Sequence, residues 1–137
     1  MKLLRSALSA ALLLLASSIS FAQTSPGDMV ADVPFAFVVA GRTLPPGHYI
    51  VSRANEYSLR IHDRQNQGVF APAHSAQRSA QENSTKMVFH RYGDTYFLSE
   101  VWVAGNSIGR ALPRSPAERE LAGSGAERQI AVVRMGK

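Results

Sequence analysis

His90, Arg91, Tyr92, Asp94, Tyr96 and Glu100 fall within eleven positions of one another. An imidazole, a guanidinium, two phenols and two carboxylates gathered around one Gly-Asp step form a candidate binding surface. His90, Asp94 and Glu100 are also the acid and base groups that a small hydrolase or a metal-dependent enzyme would use. The same residues have a plainer use. Arg91 and Glu100 on one face of a hairpin could form an ion pair that holds two strands in register, for roughly 0.2–1 kcal/mol. Tyr92, Tyr96 and Trp102 could stack on a sugar ring, although aromatic residues in a small β domain mostly fill its core.

Other constellations carry less chemistry. Histidines 48, 62, 74 and 90 are potential ligands, but none belongs to an H-x-H or H-E-x-x-H pair. No metal site and no cofactor is expected. Gly105-Asn106-Ser107-Ile108-Gly109 matches the G-x-S-x-G nucleophile elbow. That motif needs a helix directly after the serine. Here Leu112-Pro113 follows at once, so the stretch reads as a loop and no catalytic residue is assigned. Asn83-Ser84-Thr85 has the form of a glycosylation sequon, which carries little meaning in a bacterial host.

The element that positions these groups is a hairpin over Lys86–Trp102. Two aromatic and β-branched runs flank Gly93-Asp94, the chemistry of a two-residue II′ turn. Simple alternation from that turn puts Met87, Phe89 and Arg91 on one face with Tyr96, Leu98 and Glu100. Val88, His90 and Tyr92 then share the other face with Phe97, Ser99 and Val101. Neither face is purely polar, so the hairpin should be covered on both sides.

Around it, period-two patterns predict further strands. They run over Val30–Ala40, His48–Arg53, Tyr57–His62, Val69–Pro72 and Arg128–Met135. Pro34 suits an edge strand, Pro46-Gly47 a type II turn and Asn55-Glu56 another turn. Ala73–Ser84 lacks large apolar residues and reads as a long surface loop. Ala104–Arg114 reads as a Gly- and Pro-punctuated connection. Ser115, Pro116 and Glu118 predict a capping box opening a short helix that Gly123 ends. The expected fold is all-β and mainly antiparallel: a small β-sandwich or barrel of about seven strands with one short C-terminal helix.

The 137 residues bound one domain. Lys2 and Arg5, the apolar run Ala7–Ala16 and Ser20-Phe21-Ala22 read as a signal peptide cleaved after residue 22. The apolar run is well short of the roughly 20 residues that span a bilayer, so no stable membrane span is expected after cleavage. Residues 23–29 would be a flexible lead and 30–137 the β domain. The 115 residues after the cleavage point carry 13 basic and 10 acidic side chains, a net charge of +3. Their arginines are spread along the chain rather than clustered as nucleic-acid binding requires. There is no cysteine, which excludes disulfides, thiolate sites and a lipidated N-terminal Cys. A periplasmic or extracellular location is expected.

Three stretches together carry a resemblance: Val33-Pro34-Phe35 through Val39 into Leu44-Pro45-Pro46-Gly47-His48-Tyr49; Val88-Phe89-His90-Arg91-Tyr92-Gly93 with Tyr96-Phe97-Leu98; and Gly109–Ser115 with Glu118-Arg119-Glu120-Leu121. The set resembles a group of small, secreted, uncharacterised bacterial β-rich proteins. The resemblance implies export and one compact β domain, and implies no activity. Leu44–Tyr49 alone is similar to a turn and strand of transthyretin-like and collagen-adhesin B-type sandwich modules, which serve adhesion, stalks or sugar binding. The expected function is a non-catalytic binding or structural role for an envelope or extracellular partner, glycan or protein. A small-ligand carrier barrel and a small hydrolase are the alternatives.

Overall fold

A computed structural model of the protein describes residues 27–78 and 82–136. The expected signal peptide and most of the lead lie outside the described residues. Eleven strands and one helix are present among the described residues: β1 (Met29–Val33), β2 (Phe37–Val39), β3 (Arg42–Leu44), β4 (Gly47–Asn55), β5 (Ser58–His62), β6 (Gly68–Pro72), β7 (His74–Gln77), β8 (Lys86–Tyr92), β9 (Thr95–Trp102), β10 (Ile108–Ala111), α1 (Pro116–Gly123) and β11 (Gln129–Gly136). The all-β expectation with one short helix therefore holds, with more strands than the seven expected.

The strands make one strongly curled sheet. β9, β8, β11, β1, β4, β5 and β6 are neighbours in that order. β6 runs through Pro72-Ala73 into β7, β7 pairs β10, and β10 pairs β9. The circuit is thus nearly closed, and the bend at Pro72-Ala73 is its seam. A barrel-like sheet, rather than two stacked sheets, describes the molecule. Its pairings are antiparallel except where β2 meets β9, with Val38 opposite Phe97.

Four expectations about the elements change, each for a backbone reason. The predicted Val30–Ala40 strand is two strands, because Pro34 has no N–H to continue the ladder. Before it, β1 starts one residue early at the buried Met29 and pairs β4 and β11; after it, β2 moves to β9 and β3. Gly47 does not take the positive φ of a type II turn and opens β4 instead. The reversal lies earlier, at Ala40-Gly41, with φ of 50° and 73° between the paired residues Val39 and Arg42. Positive φ at both central positions defines a type I′ hairpin. The turn expected at Asn55-Glu56 sits one residue later, at Glu56-Tyr57, where the Asn55 side chain accepts from the Tyr57 N–H. Finally, the predicted loop over 73–84 contains β7 and the predicted connection over 104–114 contains β10, and the two pair with each other. The side chains of β7 are mostly exposed and those of β10 mostly half-buried, so backbone pairing without apolar alternation, joined by the Arg110–Ser75 bond, holds them.

The inner face is filled. Ala31, Val51, Ile61, Met87 and Phe89 are fully buried, with Phe37, Leu59 and Val101 nearly so. Each large side chain of this kind contributes about 1.5–3 kcal/mol on leaving water. Phe89 packs edge-on against Phe37 and Phe35 at 5.4 and 5.0 Å. Phe35 in turn stacks on Tyr96 at 3.8 Å. β6 approaches β5 so closely at Gly68 that a Cβ there would lie 1.9 Å from the Ile61 carbonyl oxygen.

Candidate functional site

The Gly93-Asp94 turn forms as the sequence predicts, with φ of 60° at Gly93 and Tyr92 opposite Thr95. The register runs regularly to Phe89 opposite Leu98 and then shifts, so that Val88 faces Glu100. Ser99 is the extra residue of a β-bulge. The bulge reverses two expected orientations. Glu100 joins the outer row with Val88, and Val101, opposite Met87, enters the core at 2% exposure. The sequence did hold a sign of this: Ser99-Glu100 puts two polar residues in succession between Leu98 and Val101.

The six candidate residues separate into three clusters, with Asp94 alone in the turn. His90 and Tyr92 lie beneath α1. Ser99 Oγ is 3.0 Å from His90 Nε2, and His90 Nδ1 is 2.5 Å from Glu118 Oε1. Tyr92 donates its hydroxyl proton to the same Oε1 at 3.3 Å, and Arg114 Nε stands 3.9 Å from it. A carboxylate only accepts, so the His90 Nδ1–H donates to Glu118, while Nε2 shares a hydrogen bond with the Ser99 hydroxyl, which can donate or accept. Burial first, and then the Glu118 charge, raise the Tyr92 phenol above its ordinary value.

Glu118 sits where a capping-box glutamate would, and half of that box is present. Its backbone N–H donates to Ser115 Oγ at 3.2 Å. Its carboxylate, 4% exposed, turns instead into the barrel wall. Sequence reasoning missed Glu118 and Ser99 as partners of His90, because a capping role and a strand position each accounted for them locally.

Glu100 belongs to a second cluster. Its Oε2 accepts from Trp102 Nε1 at 2.5 Å and Arg78 Nη2 at 2.9 Å. The Arg78 guanidinium lies over the Trp102 ring at 4.2 Å and pairs with Glu82, which also takes Lys86 Nζ at 3.0 Å. The hydrogen bond from Lys86, ahead of lesser charge effects from Lys86 and Arg78, holds the Glu82 carboxyl below its ordinary value. Arg91 and Tyr96 make the third group. Arg91 donates to the Gly93 carbonyl at 2.7 Å and lies over the Tyr96 ring at 5.3 Å. Asp94 is exposed in the turn. Tyr92, Tyr96 and Trp102 therefore share no platform, and Arg91 and Glu100 form no pair. Ser107 of the G-x-S-x-G stretch lies between β9 and β10, in a strand-turn-strand, and its carbonyl accepts from the Arg78 N–H.

Ser99, His90 and Glu118 stand in the order of a nucleophile, base and orienting acid. What they lack is room. The void beside Glu118, between Phe97, Leu98 and Leu112, holds about 20 Å³, the space of about one water. The Ser99 carbonyl already accepts from Leu112 N–H at 2.8 Å. The arrangement fastens α1 to β8 and β9.

A much larger concavity opens at one end of the barrel, where β1 starts, the β4–β5 hairpin turns and β9 runs into β10. It encloses about 1080 Å³, just above the roughly 300–1,000 Å³ usual for small-molecule sites. Leu59, Val101 and Met29 form its apolar depth, while Arg53, Arg60, Arg110, Phe70 and Ile108 line it nearer the surface. Arg110 Nη1 bridges to the Glu56 carbonyl at 2.9 Å and Ser75 Oγ at 3.2 Å. Read along the chain these arginines look scattered; the closing of the sheet brings them to one opening. Comparison with protein-family models, with curated proteins and with solved structures finds no match. Fold and site together define a small barrel-like β domain with an end cleft.

Proposed function

We propose that this chain is an exported, non-catalytic binding domain of the periplasm, envelope or exterior, and that its ligand enters the end cleft. The observation that carries the reading is the cleft itself, about 1080 Å³ walled by residues of seven strands and the 103–107 turn. The barrel interior is packed with side chains, so a carrier role belongs at this opening and not inside the sheet. A chemically diverse ligand set, followed by amide shifts of the purified protein, tests the reading. Ligands that raise Tm and move resonances of Phe70, Ile108 and Arg110 support it. A set that moves none of them counts against it.

A second reading, a small hydrolase, is favoured by the Ser99–His90–Glu118 distances alone. It replaces the His90, Asp94 and Glu100 set, whose members lie apart. A fluorophosphonate probe that labelled Ser99, and failed to label His90→Ala, would establish it. The binding-domain reading expects no labelling.

A further inference from the structure

We propose that the end cleft takes a single amphiphilic anion, an apolar chain or ring system carrying a carboxylate, phosphate or sulfate head; this rests on the cleft being the ligand site. Two observations meet there. The first is charge. Arg53, Arg60 and Arg110 line the opening, against Asp28 as the one lining carboxylate. Their contacts are with neutral oxygens: Arg53 donates to the Asn55 carbonyl, Arg60 to the Asn66 side-chain oxygen, and Arg110 to Glu56 and Ser75. Elsewhere in the molecule Arg78 and Arg114 stand beside carboxylates. Three guanidiniums against one carboxylate give the lining a net positive charge, and guanidiniums can meet an incoming anion with paired N–H donors.

The second observation is apolar surface in the same place. Phe70 is 65% exposed and Ile108 56%, two of the most exposed large apolar side chains among the described residues. Both line the cleft. Arg60 already lies over the Phe70 ring, 5.7 Å from its centre. A sugar would use the polar rim and leave Ile108 bare. A simple anion would use the arginines and leave both apolar residues wet. An amphiphilic anion uses both. The concave form selects one molecule with an enclosed tail over the flat surface of a bilayer.

Titration of the purified protein with dodecyl phosphate, dodecyl maltoside and inorganic phosphate, each below any micelle-forming concentration, tests this. Amide shifts at Phe70 and Ile108 are the readout. Dodecyl phosphate is expected to bind at least about tenfold more tightly than either the neutral amphiphile or the bare anion. Arg53→Gln, whose guanidinium donates to the neighbouring Asn55 carbonyl, should weaken it about tenfold, the loss of one charge-assisted contact. Ile108→Ser should weaken it without changing the response to salt. Equal binding of dodecyl maltoside, or binding only to anionic phospholipid vesicles, would overturn the proposal. So would silence to all three probes while other ligands still shift the cleft resonances. That last outcome leaves the cleft as a binding site and removes only the ligand class; silence to every ligand removes the site.

Discussion

Glu118 and His90 are 28 residues apart in the chain and share a 2.5 Å hydrogen bond beneath the helix. It joins the one helix among the described residues to the centre of the longest hairpin, and Tyr92 shares the same carboxylate oxygen. Glu118→Ala would leave the His90 N–H and the Tyr92 hydroxyl without an acceptor in a site that water barely reaches. Orphaned buried polar groups cost about 1–3 kcal/mol each, so a loss of about 2–4 kcal/mol is expected in urea unfolding. Ser115→Ala removes the helix cap alone and should cost about 1 kcal/mol. Hydrogen exchange over 116–123 should accelerate more in the first variant than in the second.

The Tyr92 phenol makes this junction sensitive to alkali. Its folded value is raised above 10.0, chiefly by burial and then by the Glu118 charge. The unfolded chain gives up the proton near 10 while the folded chain holds it. The contribution of Tyr92 is therefore complete below pH 10 and is lost as pH rises through the folded value. Tyr49, also raised by burial and then by Asp63, adds to the same decline. Thermal melts across pH 8–12 should show stability falling above pH 10, and Tyr92→Phe should fall less steeply although it starts lower.

Ala40 stands at φ 50° in the first central position of the β2–β3 turn. A left-handed conformation costs an alanine roughly 1–2 kcal/mol, which asparagine partly recovers. Ala40→Asn should raise stability by about 0.5–1 kcal/mol in denaturant unfolding. A loss of stability would show that the turn differs from type I′.

That turn also marks where the sequence stops being legible. Ala40-Gly41 carries only half of the usual Asn-Gly signature, and Pro46-Gly47 carries a stronger turn signal that the chain does not use. Gly93-Asp94 was readable because its glycine and its two aromatic strands agree with each other. The core face of β5 was readable from Leu59 and Ile61 because burial enforces period two, whereas on β11 Ile130 and Val132 face solvent and Val133 is the buried residue. β7 and β10 were not readable, since His74, Ser75 and Ile108 keep mostly to solvent and the pairing shows no apolar alternation. The cleft was not readable either. Arg53, Arg60 and Arg110 meet through sheet closure, which no local pattern encodes, whereas His90 was noticed for its neighbours in sequence and owes its partners to a bulge and a helix.

Gly109 on β10 is buried against the indole of Trp102, and a Cβ there would lie 2.6 Å from two ring carbons. Neither the ring nor the strand has slack: Trp102 is 1% exposed, its Nε1 is held by Glu100, and Arg78 covers it. Gly109→Ala must therefore move either the ring or β10. A displaced ring loses its bond to Glu100, and a displaced strand weakens the pairing with β7 that closes the sheet. A cost of about 1–3 kcal/mol is expected, the usual range for overpacking. Trp102 is the sole tryptophan in the chain, so its fluorescence reports the event directly. The emission should shift to the red in folded Gly109→Ala, while Gly136→Ala, where an added Cβ meets nothing within 4 Å, should leave it unchanged. An unshifted spectrum with undiminished stability would mean that β10 does not lie against the indole in solution.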